Sequence, residues 1–314
     1  MTPAVSVLIP VHDEAAHLGA CLESLRPAAD PAAPVEAVVV DDRSTDASAE
    51  IARAFAETAP EGLSVHVLTS PGSGKAAALN HAYAHATADA FVLLAGDDLL
   101  APDRLADRAA AIAGSAPRVA TCRYRTFSEV PAWDGIVLPR LGGRDQVAGG
   151  AISLNRAFAD LAFPIPEALP NEDTWLRACV LLLGLRPERL PGIGLHYRIH
   201  SGNDTGTMRP FAEVDAGIRA RAAAWALARD RLGDRATPEG RARVAAILRA
   251  EAARAKGQWW RLAVMPGLDR ADRAIHLANA TPWLFALKQA AVAAARPFRN
   301  RSAAAAPGAG GHSR

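Results

Sequence analysis

Three acidic pairs stand where short apolar runs give way to polar sequence: Asp13-Glu14, Asp41-Asp42 and Asp97-Asp98. Carboxylates this close repel one another. The cost is tolerable when they bind a divalent cation or offer acceptor oxygens to a ligand. Any single pair has a plainer reading as a turn or cap, where Asp is favoured anyway. Three repeats of the same arrangement favour the chemical reading. A fourth pair, Glu172-Asp173 in NEDTWLR, opens an apolar helical stretch, where the helix dipole favours the ionised form that a general base needs. Asn171 beside it is a candidate cap, so ordinary capping competes with catalysis here too.

The elements that must position these residues follow from periodicity. Residues 5–9, 35–40, 63–68 and 90–95 are short β-rich runs, and the stretches between them read as helices. In the first of these helices Leu18, Cys21, Leu22 and Leu25 fall at helical spacing, and Ser44 or Thr45 is the expected N-cap of a helix over 47–58. Alternating strands and helices require parallel pairing with right-handed crossovers, which puts every strand-to-helix loop on one rim of the sheet. All three acidic pairs then share the rim where open α/β sheets bind ligands. Residues 101–204 are less regular, with a strand expected at 118–125 and a helix at 173–183. Beyond 211 the chain is Ala/Arg-rich, with helices expected near 211–232, 238–262 and 270–295. The low-complexity tail, 302–314, is expected to be disordered.

The chain has 314 residues, 22% of them charged, and a net charge of +2. That balance conceals an asymmetry: residues 1–204 hold 16 Lys/Arg against 25 Asp/Glu, and residues 205–314 hold 19 against 8. Cys21, Cys122 and Cys179 are far apart and fit neither a disulfide frame nor a zinc site, which suits a reducing cytoplasm. The N-terminal run lacks the basic region of a signal peptide. The apolar stretch 274–295 is interrupted by His276, Asn279, Pro282 and Lys288, so no transmembrane helix is expected.

The residues resemble the family 2 glycosyltransferases. The likeness runs through VSVLIPVHDEAAHLGACLESL (5–25), VVVDDRSTDAS (38–48), GKAAALNHAYAHATADAFVLLAGDD (74–98), GGAISLNR (149–156), NEDTWLR (171–177) and HYRIHSGN (196–203). It implies a GT-A type, Rossmann-like α/β fold with a mostly parallel sheet flanked by helices. A catalytic domain would span 1–204, with a nucleotide-binding half (1–100) and an acceptor half (101–204), followed by a helical C-terminal extension over 205–301. The resemblance implies that Pro10, Val11, His12, Glu14, Asp41 and Asp42 hold the nucleoside of a nucleotide-sugar donor. Asp97-Asp98 would be the family's DxD-like element, with Asp98 the metal ligand and Asp97 a ribose or metal contact. Lys75 and Arg198 would meet the donor phosphates, and Glu172 and Asp173 would stand where the family keeps its catalytic base. The chain departs from many members at His12-Asp13, where they carry Tyr-Asn, and at Ala95, where they carry Asp.

Displacing a nucleoside diphosphate from an anomeric carbon builds negative charge on the pyrophosphate, which a divalent cation offsets. Mn2+ and Mg2+ both suit oxygen ligands, and His200 as an added ligand favours Mn2+. Gly149-Gly150, without side chains, lets backbone approach the donor sugar or simply turns the chain. These residues together predict a metal-dependent inverting glycosyltransferase, with a UDP-sugar favoured by resemblance.

Two rivals stand beside it. A non-catalytic nucleotide-sugar-binding or scaffold protein is motivated by Ala95 and His12. A nucleotidyltransferase would need a Gly/Arg-rich triphosphate loop after the first strand, and PVHDEAAHL offers none. The run ending in Gly74-Lys75 is no P-loop, because Thr69 and Ala76 stand where Gly and Ser/Thr are required. The basic C-terminal third, with Trp259-Trp260-Arg261 and Trp283-Leu284-Phe285, predicts either peripheral contact with anionic lipid at the inner face of a membrane or packing on the catalytic domain or in a homodimer. Nucleic acid is the poorer partner, since no binding motif accompanies the arginines.

Overall fold

The computed structural model describes residues 4–101, 104–131, 133–139, 149–200 and 210–291; the tail expected to be disordered lies outside them. The first half runs β1 (Val5–Val11), α1 (Leu18–Glu23), β2 (Val35–Asp41), α2 (Ser48–Glu57), β3 (Leu63–Thr69), α3 (Lys75–His85) and β4 (Ala90–Leu93). β2 and β3 pair in parallel, as do β1 and β2 and β1 and β4, and Val11, Asp41 and Thr69 end level with one another. That shared end is the rim expected from the alternation.

The second half is mixed. β5 (Leu99–Leu100), α4 (Leu105–Ala111), β6 (Val119–Ser128), β7 (Val137–Leu138), β8 (Ile152–Asn155), α5 (Arg156–Ala162), α6 (Asp173–Leu182) and β9 (Glu188–Ile199) follow in order. Strand order is β3-β2-β1-β4-β8-β6-β9-β5, with β7 on β6. β8 is antiparallel to both β4 and β6, whereas β9 is parallel to β6 and antiparallel to β5. The Leu99–His196 pairing brings the end of β9 beside Asp97-Asp98.

β2 (VEAVVVD) is buried along its whole length, as a strand covered on both faces must be. Alternation divides the two cores. Val5, Val7, Ile9, Val35, Ala37 and Val39 face α1 and α2, whereas Leu8, Val38 and Val40 face α3. The second core extends without a break through Trp175 and Leu176 of α6 into the C-terminal helices α7 (Phe211–Leu232) and α8 (Pro238–Ala255). Gly240 makes the close approach possible: a Cβ there would lie 2.4 Å from the Leu181 and Leu182 carbonyl oxygens. The helix expected over 238–262 breaks at Gly257 (φ 66°) into α8 and α9 (Trp259–Val264). The one expected over 270–295 breaks after α10 (Arg270–Ala278), and helix resumes at residues 282–291.

Candidate functional site

The loops after β1 and β2 brace one another. Asp13 and Arg43 both hold positive φ (52° and 57°) without being glycine. Strained backbone of this kind persists only where surrounding bonds fix it. Asp13 donates its N–H to Ser44 Oγ (3.0 Å), and its carboxylate accepts the Thr45 N–H (2.6 Å). The expected Ser44 or Thr45 cap therefore does not form, because both residues are engaged by Asp13. Asp46 instead accepts the Ser48 N–H at the start of α2 (2.9 Å). Glu14 is fixed through its own N–H to Ser48 Oγ (2.8 Å).

A cleft of about 500 Å³ opens beside these loops, lined by Pro10, Val11, His12, Glu14, Asp42, Lys75, Asp97 and His200. His12 Nδ1 lies 2.9 Å from the Asp42 carbonyl oxygen. Asp41 accepts the Ser44 N–H (3.3 Å). Asp42 accepts the Gly74 N–H at Oδ2 (2.6 Å), while its Oδ1 is buried without a hydrogen-bond partner. A buried acceptor left unpaired carries a desolvation cost that a ligand's N–H or O–H relieves.

The Asp97-Asp98 turn closes the cleft below. Asp98 is 2% exposed, and burial, then the charge of Asp97, raises its carboxyl pKa well above the usual range. Its Oδ1 accepts the Arg198 N–H (2.8 Å), and Arg198 Nε donates to the Asp97 carbonyl oxygen (2.8 Å). His200 Nε2 lies 3.3 Å from Asp97 Oδ2. Burial, followed by the Asp97 charge, pushes Glu14 up to about 7.

At the cleft's inner end Lys75 Nζ is 2.9 Å from Glu172 Oε1. Asp173 Oδ1 accepts the Gly149 N–H (2.7 Å), and a Cβ on Gly149 would come within 3.1 Å of Glu172 Oε1. Gly149 is thus a position where a side chain would intrude on the acidic pair. A Cβ on Gly150 would come within 2.8 Å of Leu195. Burial works to raise the Glu172 carboxyl, but the Lys75 ammonium outweighs it and holds that group below its usual range. For Asp173, burial and the neighbouring Glu172 charge win, and its pKa rises to about 7.

The structure therefore gathers the sequence-selected residues along one rim: Pro10 to Glu14 and Asp41-Asp42 on one side, Asp97-Asp98 with Arg198 and His200 below, and Lys75, Gly149-Gly150 and Glu172-Asp173 at the inner end. Two residues escaped the sequence reading. His17 sits in the turn before α1, its ring 4.8 Å from that of His200. The signal for it was the Glu14-x-x-His17 spacing, one helical turn. Arg108 is fully buried in α4 and donates to Ser153 Oγ (2.8 Å) and to the carbonyl oxygens of Gly150 (2.9 Å), Ile152 (2.7 Å) and Gly194 (3.4 Å). Its signal was an arginine on the apolar stripe Leu105-Arg108-Ile112.

Residues 6–146 match the model of the family described as glycosyl transferase family 2. Those residues form a family 2 glycosyltransferase domain. No curated protein matches the sequence. Among solved structures, this glycosyltransferase is similar to residues 1–349 of S. aureus TarS in complex with UDP-GlcNAc. The TM-score is 0.56 at 18% identity, covering 88% of this chain and 79% of that one. It is likewise similar to the mannosyltransferase PcManGT from Pyrobaculum calidifontis in complex with GDP-Man and Mn2+, with a TM-score of 0.56 at 20% identity over 96% and 83% of the two chains. At such identities the likeness is one of fold, the GT-A type. Among the described residues, no helix of this glycosyltransferase is long and apolar enough to cross a membrane.

Proposed function

We propose that this glycosyltransferase moves a sugar from a nucleotide-diphosphate sugar, a UDP-sugar by preference, onto an acceptor hydroxyl by one inverting displacement within a catalytic domain spanning residues 1–204. The observation that carries the reading is that Asp42 and Asp97 line one cleft together with Lys75, whose ammonium reaches from that cleft to Glu172 in the adjoining cavity. The UDP-GlcNAc bound by TarS and the GDP-Man bound by PcManGT support the donor class.

The nucleoside lies along Pro10 to His12 and Glu14, with the unpaired Asp42 Oδ1 accepting a donor N–H or O–H and Asp41 stiffening the loop behind it. Lys75 and Arg198 face the pyrophosphate. The backbone at Gly149-Gly150 leaves room for the sugar. Asp173 takes the acceptor's proton as the acceptor oxygen bonds to the anomeric carbon. The bond from that carbon to the pyrophosphate oxygen breaks, and its electron pair leaves with the nucleotide. Glu172, charge-paired with Lys75, keeps Asp173 basic enough to accept a proton at neutral pH.

The donor set fits a divalent cation, since Asp98 is buried beside a second carboxylate, and burial first and the Asp97 charge second disfavour its ionised form, a cost that a cation offsets. Asp98 with His200 would hold it. When bound, Mn2+ or Mg2+ supplies charge compensation for the departing pyrophosphate. The Mn2+ in the PcManGT complex supports a divalent cation as cofactor. Hydrolysis of a panel of UDP-, GDP- and dTDP-sugars, with and without Mn2+, tests the reading. Metal-stimulated release of one nucleotide is expected, whereas binding without turnover of any donor returns the chain to the scaffold class. For Asp98→Ala, calorimetry should show that metal no longer strengthens donor binding.

The acceptor is proposed to be a cell-envelope or lipid-linked hydroxyl, reached while residues 205–301 rest on anionic headgroups at the cytoplasmic face of a membrane. Trp259, Trp260, Val264, Ile275, Trp283 and Leu287 are all exposed there, and the Trp259 ring meets those of Trp260 and Trp283 edge-on at 6.2 and 6.0 Å. Aromatic side chains on a basic helical surface are what an interfacial contact requires. The full chain should float with phosphatidylglycerol vesicles, and Trp260→Ser with Trp283→Ser should abolish this. A chain that ignores vesicles but forms a dimer broken by the same substitutions would assign the surface to a second copy.

A further inference from the structure

Glu14, His17 and His200 each present a ligand atom, and the three atoms all lie within 4.8 Å of one another. They come from two elements that the fold fixes separately. Glu14 and His17 belong to one turn, closed by the His17 N–H on the Glu14 carbonyl oxygen (2.9 Å) and held to α2 by the Glu14 N–H on Ser48 Oγ (2.8 Å). His200 follows directly on β9, whose end is tied down by the Arg198 N–H on Asp98 (2.8 Å). The rings of His17 and His200 stand 4.8 Å apart at 57°, too tilted to be a stacked pair and close enough to share an ion. Beside them, Asp97 Oδ2 is 3.3 Å from His200 Nε2, and a carboxylate at one ring nitrogen is a partner that metal-binding imidazoles usually carry.

We propose that Glu14, His17 and His200 form a preorganised cation site at the mouth of the donor cleft, one that takes up a transition-metal dication before any nucleotide arrives. The inference rests on the reading of His200 as a ligand and goes beyond it in two respects. It adds Glu14 and His17 to the protein's ligands, and it leaves Asp98 outside the set that binds metal in the nucleotide-free protein. Two imidazoles and one carboxylate suit Mn2+, Co2+ or Zn2+ and disfavour Mg2+, which prefers an all-oxygen octahedron. A site of two histidines and a carboxylate leaves coordination positions open, so pyrophosphate oxygens have somewhere to bind.

The test is metal binding to the full chain without nucleotide, by calorimetry with Mn2+, Zn2+ and Mg2+, repeated with UDP present. Wild type should bind Mn2+ or Zn2+ at least about tenfold more tightly than Mg2+. His17→Gln and His200→Gln should each weaken that binding by about tenfold or more, whereas Asp98→Asn should leave it within about twofold. Electron-spin-echo modulation of bound Mn2+ in the wild-type chain should show imidazole nitrogens, a readout that needs no variant to fold. Metal uptake that appears only with UDP and is lost in Asp98→Asn would overturn the preorganised site and leave the Asp98–His200 reading standing. No uptake under either condition would overturn both. Unchanged affinity in His17→Gln would remove His17 and with it the proposal.

Discussion

Two acidic pairs on the same rim have opposite electrostatic settings. Glu172-Asp173 has its cation built in: the Lys75 ammonium, 2.9 Å from Glu172, holds that carboxylate ionised, while burial and then the Glu172 charge lift Asp173 to about 7. At Asp97-Asp98 the nearest guanidinium, that of Arg198, sends its Nε to a main-chain carbonyl oxygen instead. Asp98 stays buried and raised beside Asp97. One pair is thus completed by the chain itself and poised to move a proton. The other meets the Arg198 N–H and the His200 ring, and Asp98 stays raised despite them.

The sharpest way to break this contrast is at the proton acceptor. Asp173→Asn should lower transfer by about 10²–10⁴-fold while donor affinity changes by no more than about threefold, measured by steady-state turnover and calorimetry. Unchanged turnover would take Asp173 out of its role. Removing the internal cation comes next. Lys75→Met strands a buried carboxylate and should cost about 1–3 kcal/mol in denaturant unfolding, less than for a fully buried pair because Lys75 is partly solvated. Adding Glu172→Gln should restore most of that loss.

The titration of Asp173 gives a smaller effect of defined sign. Activity should rise with pH and level off above about 7, as the base loses its proton. Stability should move the other way between about pH 4 and 7, because there the native state holds a proton that the unfolded chain has released. The activity trend should vanish in Asp173→Asn, while the stability trend should shrink but persist, because the Glu14 and Asp98 carboxyls are raised as well. The smallest expected effect is at Asp97-Asp98, where Asp98→Asn removes a buried acid from beside Asp97 and should raise the unfolding temperature of the metal-free chain by about 2 °C.

The parallel half was legible because its strands are continuous apolar runs punctuated by helices, so Asp41-Asp42 and Asp97-Asp98 could be put on one rim without coordinates. The mixed half was not. β5 and β7 are two residues long, and β9 carries Pro191 and Gly192 (φ 84°) where its pairing with β6 slips register. Alternation is erased there, and with it the evidence that β9 delivers Arg198 and His200 to the cleft. Those two residues were found by resemblance to a family motif. Arg108 and His17 belong to no such motif, and their placement depends on contacts across 42 or more residues for the one and 183 for the other. The continuous core beneath α7 and α8 was equally hidden, because an Ala/Arg-rich helix gives little indication of what it packs against.

Arg108 is a positive charge sealed in the interior, answered by a hydroxyl and three main-chain oxygens. Those oxygens belong to Gly150, one residue from the backbone N–H that Asp173 engages, to Ile152 at the start of β8, and to Gly194 on β9, the strand that ends just before His200. One planar group thus acts as a keystone between the two flanks of the reaction chamber. Loosening it would let the acceptor wall and the phosphate wall drift together, so damage there would surface as lost alignment of both substrates while each pocket kept its own residues.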